Sequence, residues 1–238
     1  MGLPLYLALT GPELNAAAEL PKHLAYMACH FSSYGGGLSN FPASLPSGSM
    51  LIVNDSTPAD RHDPILICRQ LEDFSNQWNI GSILLDFQRP ENEETYQITK
   101  AILSGLSCPV IVSDIYAKEL ACPVFLPPVP ADYSLSRWIS PWKGREIWLE
   151  AALDAKAITV NKDGSCQAPV NPPAASPLPH WDKKLHCHYK IETQPDQVLF
   201  TLQRTEDDLT ELLQEAEGLS VAGAVGLYQE LGHKMHCN

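Results

Sequence analysis

Three apolar runs in the first half of the chain decide the fold: SMLIVND at residues 49–55, GSILLDF at 81–87 and PVIVSD at 109–114. Each run is short, rich in aliphatic side chains and has an aspartate at or near its end. Runs of this kind are typical of strands buried on both faces of a parallel sheet. Between them, apolar residues recur at helical spacing at Ile67, Leu71, Phe74 and Trp78, and again at Ile98, Ile102 and Leu106. This alternation of strand and helix predicts a parallel sheet with helical crossovers.

Similar runs continue on both sides and give eight candidate strands. They are Leu24–Phe31, Met50–Asp55, Ile83–Phe87, Val110–Asp114, Val124–Leu126, Glu146–Glu150, Val198–Arg204 and Ala224–Glu230. The run Leu3–Leu9 is a ninth, so either it or one of the short middle strands is expected to be peripheral. The chain has 238 residues, close to the roughly 250 of one βα barrel. We therefore predict a single domain, residues 1–238, folded as a (βα)8 TIM-like α/β barrel, with an open doubly wound sheet as the alternative.

Two places interrupt the regular alternation. Only DIYAKELA separates the apolar parts of the strands at Val110 and Val124, which is short for a parallel crossover, so we expect an irregular barrel there. Between about residues 157 and 197, the pattern AITVNKDGSCQ turns at Asp163-Gly164 and a proline-rich loop follows. This predicts a β-hairpin insertion, after which Val198–Arg204 is expected to return to the barrel.

The composition excludes several classes of protein. The formal charge of −12, with no local run of Lys or Arg, repels nucleic acid phosphates and acidic membrane surfaces, so we predict neither as a partner. No stretch approaches the ~18 consecutive apolar residues of a membrane span, and the start MGLPLYLALTG lacks the basic segment of a secretory signal. Seven cysteines without closely spaced pairs fit reduced thiols, so we expect a cytoplasmic protein.

Polar or charged side chains end six of the apolar runs. In a parallel barrel the outgoing strand ends face one mouth, where the active sites of such barrels lie. We therefore predict a site at this mouth, with catalytic residues Asp86, Glu150 and Glu230. The predicted substrate-binding residues are His30, Asp55, Gln88, Asp114, Arg204 and Tyr228. Some also have structural explanations, because Asp86 can hydrogen-bond strand-end amides, His30 can be an ordinary structural histidine and Arg204 can neutralise an acidic mouth.

Alternation along a strand places aromatic rings beside two of these acids. Tyr228 is expected on the same face as Glu230, and Trp148 on the same face as Glu150. An aromatic ring beside an acid suits a sugar ring. The same pattern is equally compatible with a rim contact at Tyr228 and a place in the core for Trp148.

The segment GSILLDFQRP, residues 81–90, resembles the fourth-strand signature of family 18 glycoside hydrolases. In that signature a strand of alternating aspartates ends in Asp, any residue and Glu, commonly followed by an aromatic residue and Pro. Asp86, Phe87 and Pro90 match, whereas Gln88 stands in the position of the glutamate, and Gly81 and Leu84 replace earlier aspartates. The resemblance implies a TIM barrel that acts on a carbohydrate.

The glutamine at position 88 separates two hypotheses about function. An amide cannot donate a proton as an acid does, so the proton donor implied by the resemblance is missing at Gln88. The leading hypothesis is a glycoside hydrolase-like barrel that acts on or binds a carbohydrate through the carboxylates at its mouth. The alternative is a non-catalytic barrel that binds a small polar ligand or a protein partner. The sequence does not indicate an oligomeric state.

Possible metal or cofactor sites are weaker. Asp55, Asp60, His62 and Asp63 lie close together in the sequence and could hold a metal or a phosphate, although Asp63 before Pro64 also fits a helix cap. His186 and His188 share one strand face and Cys187 the other, so at most two of them converge, and the terminal HKMHCN is similarly rich in ligands. No GxGxxG or P-loop pattern is present. We therefore predict neither a metal nor a cofactor.

Overall fold

The computed structural model describes residues 2–58, 61–167, 170 and 178–232. Its residues fall into two compact units. The barrel unit comprises Pro4–Pro127, Gly144–Glu150 and Ala222–Asn238, and the sheet unit comprises Met1–Leu3, Pro128–Lys143 and Ala151–Val221. The prediction of a single domain stays a prediction.

The described residues form thirteen strands and seven α-helices. The strands are β1 Leu5–Leu9, β2 Leu24–Phe31, β3 Leu38–Ser39, β4 Met50–Asn54, β5 Ser82–Asp86, β6 Val110–Ser113, β7 Val124–Leu126, β8 Ile147–Ala151, β9 Ala155–Asn161, β10 His180–Asp182, β11 Cys187–Thr193, β12 Gln197–Gln203 and β13 Gly223–Leu227. The helices are α1 Gly11–Ala16, α2 Pro64–Trp78, α3 Glu93–Gly105, α4 Asp114–Ala117, α5 Leu135–Ile139, α6 Glu206–Gly218 and α7 Tyr228–Leu231, and a 3₁₀ turn spans Ser140–Trp142.

Eight parallel strands close into a barrel in the order β1, β2, β4, β5, β6, β7, β8 and β13. The barrel closes because β1 pairs with both β2 and β13, for example through Leu7, which is opposite Leu24 on one side and Gly226 on the other. β3 adds a short antiparallel edge to β2. The predicted α/β barrel is therefore confirmed, and the open sheet is excluded.

The barrel interior is filled by side chains from every strand. The buried cluster consists of Ala8, Ala25, Met50, Ile52, Leu84, Ile111, Phe125, Trp148 and Val225. Small residues on β1 and β2 leave room for the large rings on β7 and β8. At Gly223 a Cβ atom would lie 2.4 Å from the Trp148 ring, so only glycine permits this approach of β13 to β8. Trp148 thus belongs to the core, and its indole N–H donates to Glu146 at 2.8 Å.

The helices around the barrel begin where the sequence provides caps. The Asp63 side chain accepts the backbone N–H of Ile65, and Pro64 occupies the first turn of α2. Asn92 caps α3 in the same way through the N–H of Thr95. α2 buries the predicted apolar face of Ile67, Leu71 and Phe74, and it ends at Asn79 in the left-handed conformation.

The assignment of Val198–Arg204 to the barrel is wrong. Its residues form β12, which pairs antiparallel with β9 and β11, Phe200 lying between Ile158 and Ile191. Leu5–Leu9, expected as a possible peripheral run, is a barrel strand, and so are the short β6 and β7. A short apolar run specifies burial but not the direction of its partner, so the pattern alone did not separate these cases.

The predicted hairpin insertion is present and is larger than expected. In the sheet unit four antiparallel strands lie in the order β10, β11, β12 and β9, which together span residues 155–203. Its core contains Ala131, Cys187 and Leu202, with Ile158, Leu185, Tyr189 and Phe200 packed against them. The predicted cap of α6 is also present, because Thr205 and Asp208 form a reciprocal capping box.

Candidate active site

A cavity of about 620 Å³ opens at the carboxyl ends of the barrel strands. Ala8, Met27, Ala28, His30, Ile52, Asn54, Asp55, Ser56, Leu84, Asp86, Gln88, Arg89, Phe125, Glu150, Val225, Gly226 and Leu227 line it. Its floor is apolar and its polar groups lie at the strand ends, an arrangement typical of small-molecule sites. The strands therefore bring five of the nine predicted site residues to one cavity.

Glu150 is the most perturbed acid of this cavity. It stands near the end of β8 and is half-buried. Burial raises the pKa of its carboxyl to about 7, and the neighbouring charges of Asp86 and Glu230 raise it further in the same direction. The three predicted catalytic acids therefore interact with one another, and Glu150 holds a proton through most of the mildly acidic range.

Asp86 ends β5 and is held by the residue that breaks the family 18 signature. The side-chain nitrogen of Gln88 donates to both carboxylate oxygens of Asp86, at 3.1 and 3.2 Å. Burial raises the pKa of Asp86, the hydrogen bond from Gln88 opposes that effect, and the charge of Asp55 adds to it. Gln88 thus stabilises the ionised form of Asp86, as a neutral donor does.

Asp55 makes bonds within the protein with both carboxylate oxygens. The side chain is buried, and its oxygens accept the backbone N–H groups of Gln88 at 3.0 Å and of Arg89 at 2.9 Å. In return the Arg89 guanidinium donates to the carbonyl of Asp55 at 2.6 Å and to that of Ser56 at 2.8 Å. These four bonds join the end of β4 to the loop that follows β5.

Glu230 and Tyr228 do not continue the last strand. β13 ends at Leu227, and Tyr228–Leu231 forms the helical turn α7. The expected strand alternation is therefore wrong here, because residues two apart on a helix do not share a face. Glu230 is near enough to Glu150 to raise its pKa.

Two predicted binding residues lie elsewhere. Asp114 is the first residue of α4 and does not line the cavity, and burial raises the pKa of its carboxyl. Arg204 was expected at the mouth only because its run was assigned to the barrel. It belongs to the sheet unit, is 2% exposed and donates to the carbonyls of Val129, Leu185 and His186.

His30 lines the cavity but also has structural bonds. Its Nδ1 atom lies 3.1 Å from the carbonyl oxygen of Ala28 and 3.4 Å from the side-chain nitrogen of Asn40. Sequence reasoning missed Asn54 and Arg89, both of which line the cavity. Each is adjacent in sequence to a predicted site residue, Asn54 before Asp55 and Arg89 after Gln88, and that adjacency was the available signal.

The suggested metal ligands have other roles where they are described. Asp63 caps α2, and the His62 ring bonds the carbonyl oxygen of Ser32 at 2.9 Å. His186 lies 2.6 Å from Glu215, and His188 lies 2.8 Å from Asp208. Within the described ranges no group of three His, Cys, Asp or Glu side chains has the arrangement to hold a metal ion. Asp60 and the HKMHCN segment lie outside the described residues.

Across the described part of the chain, no helix has both the length and the apolar character needed to cross a bilayer. No protein family model matches the sequence. No curated protein matches it either.

Solved structures, in contrast, match nearly the whole chain. A double mutant of the GH18 chitinase from Cycas revoluta, in complex with (GlcNAc)4, has a TM-score of 0.58 at 9% identity and 94% coverage of both chains. The fold is that of family 18 glycoside hydrolase-like barrels. The spore cortex-lytic enzyme SleL from Bacillus cereus has a TM-score of 0.53 at 9% identity, over 94% of this chain and 70% of its own. The chitinase from Chromobacterium violaceum has a TM-score of 0.52 at 9% identity, over 94% and 93%.

The family 18-like barrel also explains the local resemblance found in the sequence. Counting the parallel strands from the amino terminus, β5 is the fourth, after β1, β2 and β4. The segment GSILLDFQRP therefore stands on the strand to which its signature belongs. At 9% identity the similarity shows the fold alone.

Proposed function

We propose that the barrel binds an oligosaccharide at its mouth and cleaves a glycosidic bond, with Glu150 as proton donor and Asp86 as the ionised partner. The observation that carries this proposal is a difference in state between two carboxyl groups of one cavity. Glu150 has a pKa of about 7, whereas Asp86 receives two hydrogen-bond contacts from Gln88 that favour its charged form. Pairs of acids whose environments differ in this way divide into acid and base.

The substrate class follows from the walls of the cavity and from the fold. Met27, Ile52 and Phe125 provide apolar surface against which the faces of sugar rings can pack. The Cycas revoluta chitinase, which has this fold, is in complex with (GlcNAc)4. We therefore propose a neutral oligosaccharide such as a GlcNAc oligomer as the ligand.

In the proposed reaction Glu150 gives its proton to the leaving glycosidic oxygen. Asp86 then either activates a water molecule or attacks the anomeric carbon. The separation of the two carboxyl groups decides between these routes, since about 5–5.5 Å suits retention and about 6.5–9.5 Å suits inversion.

Hydrolysis assays on GlcNAc oligomers test the catalytic roles. We expect Glu150→Gln to lower kcat about 10²–10⁴-fold, because an amide cannot donate the proton. Asp86→Asn should cause a loss of similar size, and Glu119→Gln, an exposed glutamate that does not line the cavity, should cause none. Unchanged turnover in Glu150→Gln would contradict the assignment.

A non-catalytic sugar-binding barrel is the second candidate, and Gln88 is the observation that favours it. The amide occupies the position of the acid in the family 18 signature, and both oxygens of Asp86 are engaged by it. Wild type and Gln88→Glu should be assayed together on a panel of glycosides. If neither turns over while (GlcNAc)4 still raises the melting temperature, binding without catalysis is the function.

A further inference from the structure

We propose that Asp55 is a positioning residue, which, together with Arg89, fixes the backbone after β5 so that the amide of Gln88 meets the carboxylate of Asp86. This inference rests on the proposed function only in treating Asp86 as a working group of the site. It replaces the sequence-based expectation that Asp55 touches the substrate.

The first argument is the burial and saturation of Asp55. A substrate-binding carboxylate needs an oxygen directed to the ligand. Asp55 is only 5% exposed, and each of its oxygens already accepts a backbone N–H, one from Gln88 and one from Arg89. Charge-assisted bonds to backbone N–H groups are among the stronger hydrogen bonds in proteins, so they hold this loop firmly.

The second argument is that the link runs in both directions. Arg89 reaches back from the loop, and its guanidinium donates to the carbonyls of Asp55 and Ser56. The ends of β4 and β5 are therefore tied by side chains from each strand end to the backbone of the other. A loop held at two consecutive residues cannot rotate the side chain of Gln88 away by a backbone change.

The third argument is that Gln88 is exposed and needs such a constraint. An exposed glutamine has several rotamers of similar free energy, and it loses side-chain entropy when one is selected. Yet its nitrogen lies within 3.2 Å of both oxygens of Asp86. Fixing the backbone at position 88 reduces that cost, because fewer orientations of the amide remain.

A double-mutant cycle read by NMR tests this inference without any ligand. The measurement is the titration midpoint of the Asp86 carboxyl carbon, assigned with Asp86→Asn. In the wild-type background, Asp55→Asn removes a negative charge, which lowers the midpoint, and releases Gln88, which raises it. In the Gln88→Ala background only the effect of charge remains. We expect the two shifts to differ by about half a pH unit or more, with the more negative shift in Gln88→Ala.

A second variant keeps the charge of the site constant. Arg89→Lys retains the cation but loses the planar donor group that reaches two carbonyls. It should raise the Asp86 midpoint when Gln88 is present and leave it unchanged in Gln88→Ala. Asp73→Asn, at an exposed position on α2, should change neither. Equal shifts in both backgrounds for Asp55→Asn and for Arg89→Lys would overturn the positioning role.

Calorimetry with (GlcNAc)4 separates this inference from the proposed function. If both hold, Asp55→Asn weakens binding severalfold when Gln88 is present and has a smaller effect in Gln88→Ala. If wild type does not bind any GlcNAc oligomer, the proposed function is contradicted, and the NMR cycle still decides the role of Asp55.

Discussion

At position 88 an amide nitrogen stands where a carboxyl oxygen is expected, and this exchange sets the charge balance around Asp86. Gln88 donates to Asp86 and favours its ionised form. A glutamate at position 88 would instead bring two acids together, because the backbone at that position is held by Asp55. A single atom therefore decides whether Asp86 is neighboured by a donor or by a competing charge.

We expect Gln88→Glu to make the stability of the barrel unit depend more strongly on pH. Two carboxyl groups about 3 Å apart cannot both ionise cheaply, so one pKa of the pair rises well above its ordinary range. The variant should match the wild type at pH 4 and have a lower melting temperature at pH 8. Gln77→Glu, an exposed change on α2, serves as the control and should follow the wild type. Equal melting temperatures at pH 8 would show that the two groups are not in contact.

Glu150 predicts a second pH effect with a defined sign. Its pKa is raised from 4.5 to about 7 in the folded chain, so ionisation is harder in the folded than in the unfolded state. The protonated group stabilises the fold below pH 4.5, and this contribution is lost as the pH rises towards 7, with a total of about 3 kcal/mol at most. Glu150→Gln should remove this loss, so that the variant is more stable than the wild type at pH 8. Urea unfolding at pH 5 and 8 measures the difference.

At the scale of elements, the sequence specified those segments whose residues carry their own structural information. Asp63, Pro64 and Asn92 mark helix starts through their bonding capacity, and the structure confirms α2 and α3. β12 and α7 differ, because neither Val198–Arg204 nor the residues after Leu227 carry a mark that distinguishes a parallel strand from an antiparallel one or from a helical turn. Their state depends on partners distant in sequence, and no local pattern specifies those partners.

The misassigned β12 run ends in a residue with a large structural role. Arg204 is buried in the sheet unit and satisfies three backbone carbonyls with one guanidinium. Arg204→Met should leave those carbonyls without a donor and lower the free energy of unfolding by about 3–5 kcal/mol. Arg204→Lys should recover only a small part, because one ammonium cannot reach all three. Hydrogen exchange of β11 and β12 measures the loss, and Arg69→Met at an exposed position is the control.

At the scale of the molecule, the parallel barrel is the reason that part of the site was predictable. Acids at the ends of Met50–Asp55, Ile83–Phe87 and Glu146–Glu150 reach one cavity because closure directs the ends of all strands to one mouth. The individual roles were not predictable, since Asp55 binds backbone and Asp86 binds Gln88. Those roles depend on which atoms meet across the loops, which a single sequence does not encode locally.

The charge of the whole chain predicts a preference among sugars. A formal charge of −12 and interacting acids at the mouth repel anionic ligands at low ionic strength. We expect neutral (GlcNAc)4 to bind more tightly than a carboxylated or sulfated oligosaccharide of equal length. The difference should shrink between 20 mM and 500 mM salt, because salt screens repulsion between exposed charges. Calorimetry in both buffers measures it, and a gap that does not change with salt would exclude this cause.

The contact between Gly223 and the Trp148 ring also constrains how this barrel can change over evolutionary time. An added methyl group at position 223 would meet the ring at 2.4 Å. Overpacking of this kind costs about 1–3 kcal/mol, whereas a prior change of Trp148 to a smaller residue makes room for it. Substitutions at the seam are therefore permitted in one order and opposed in the other, so descendants that lack this glycine should descend from ancestors that had already lost the tryptophan.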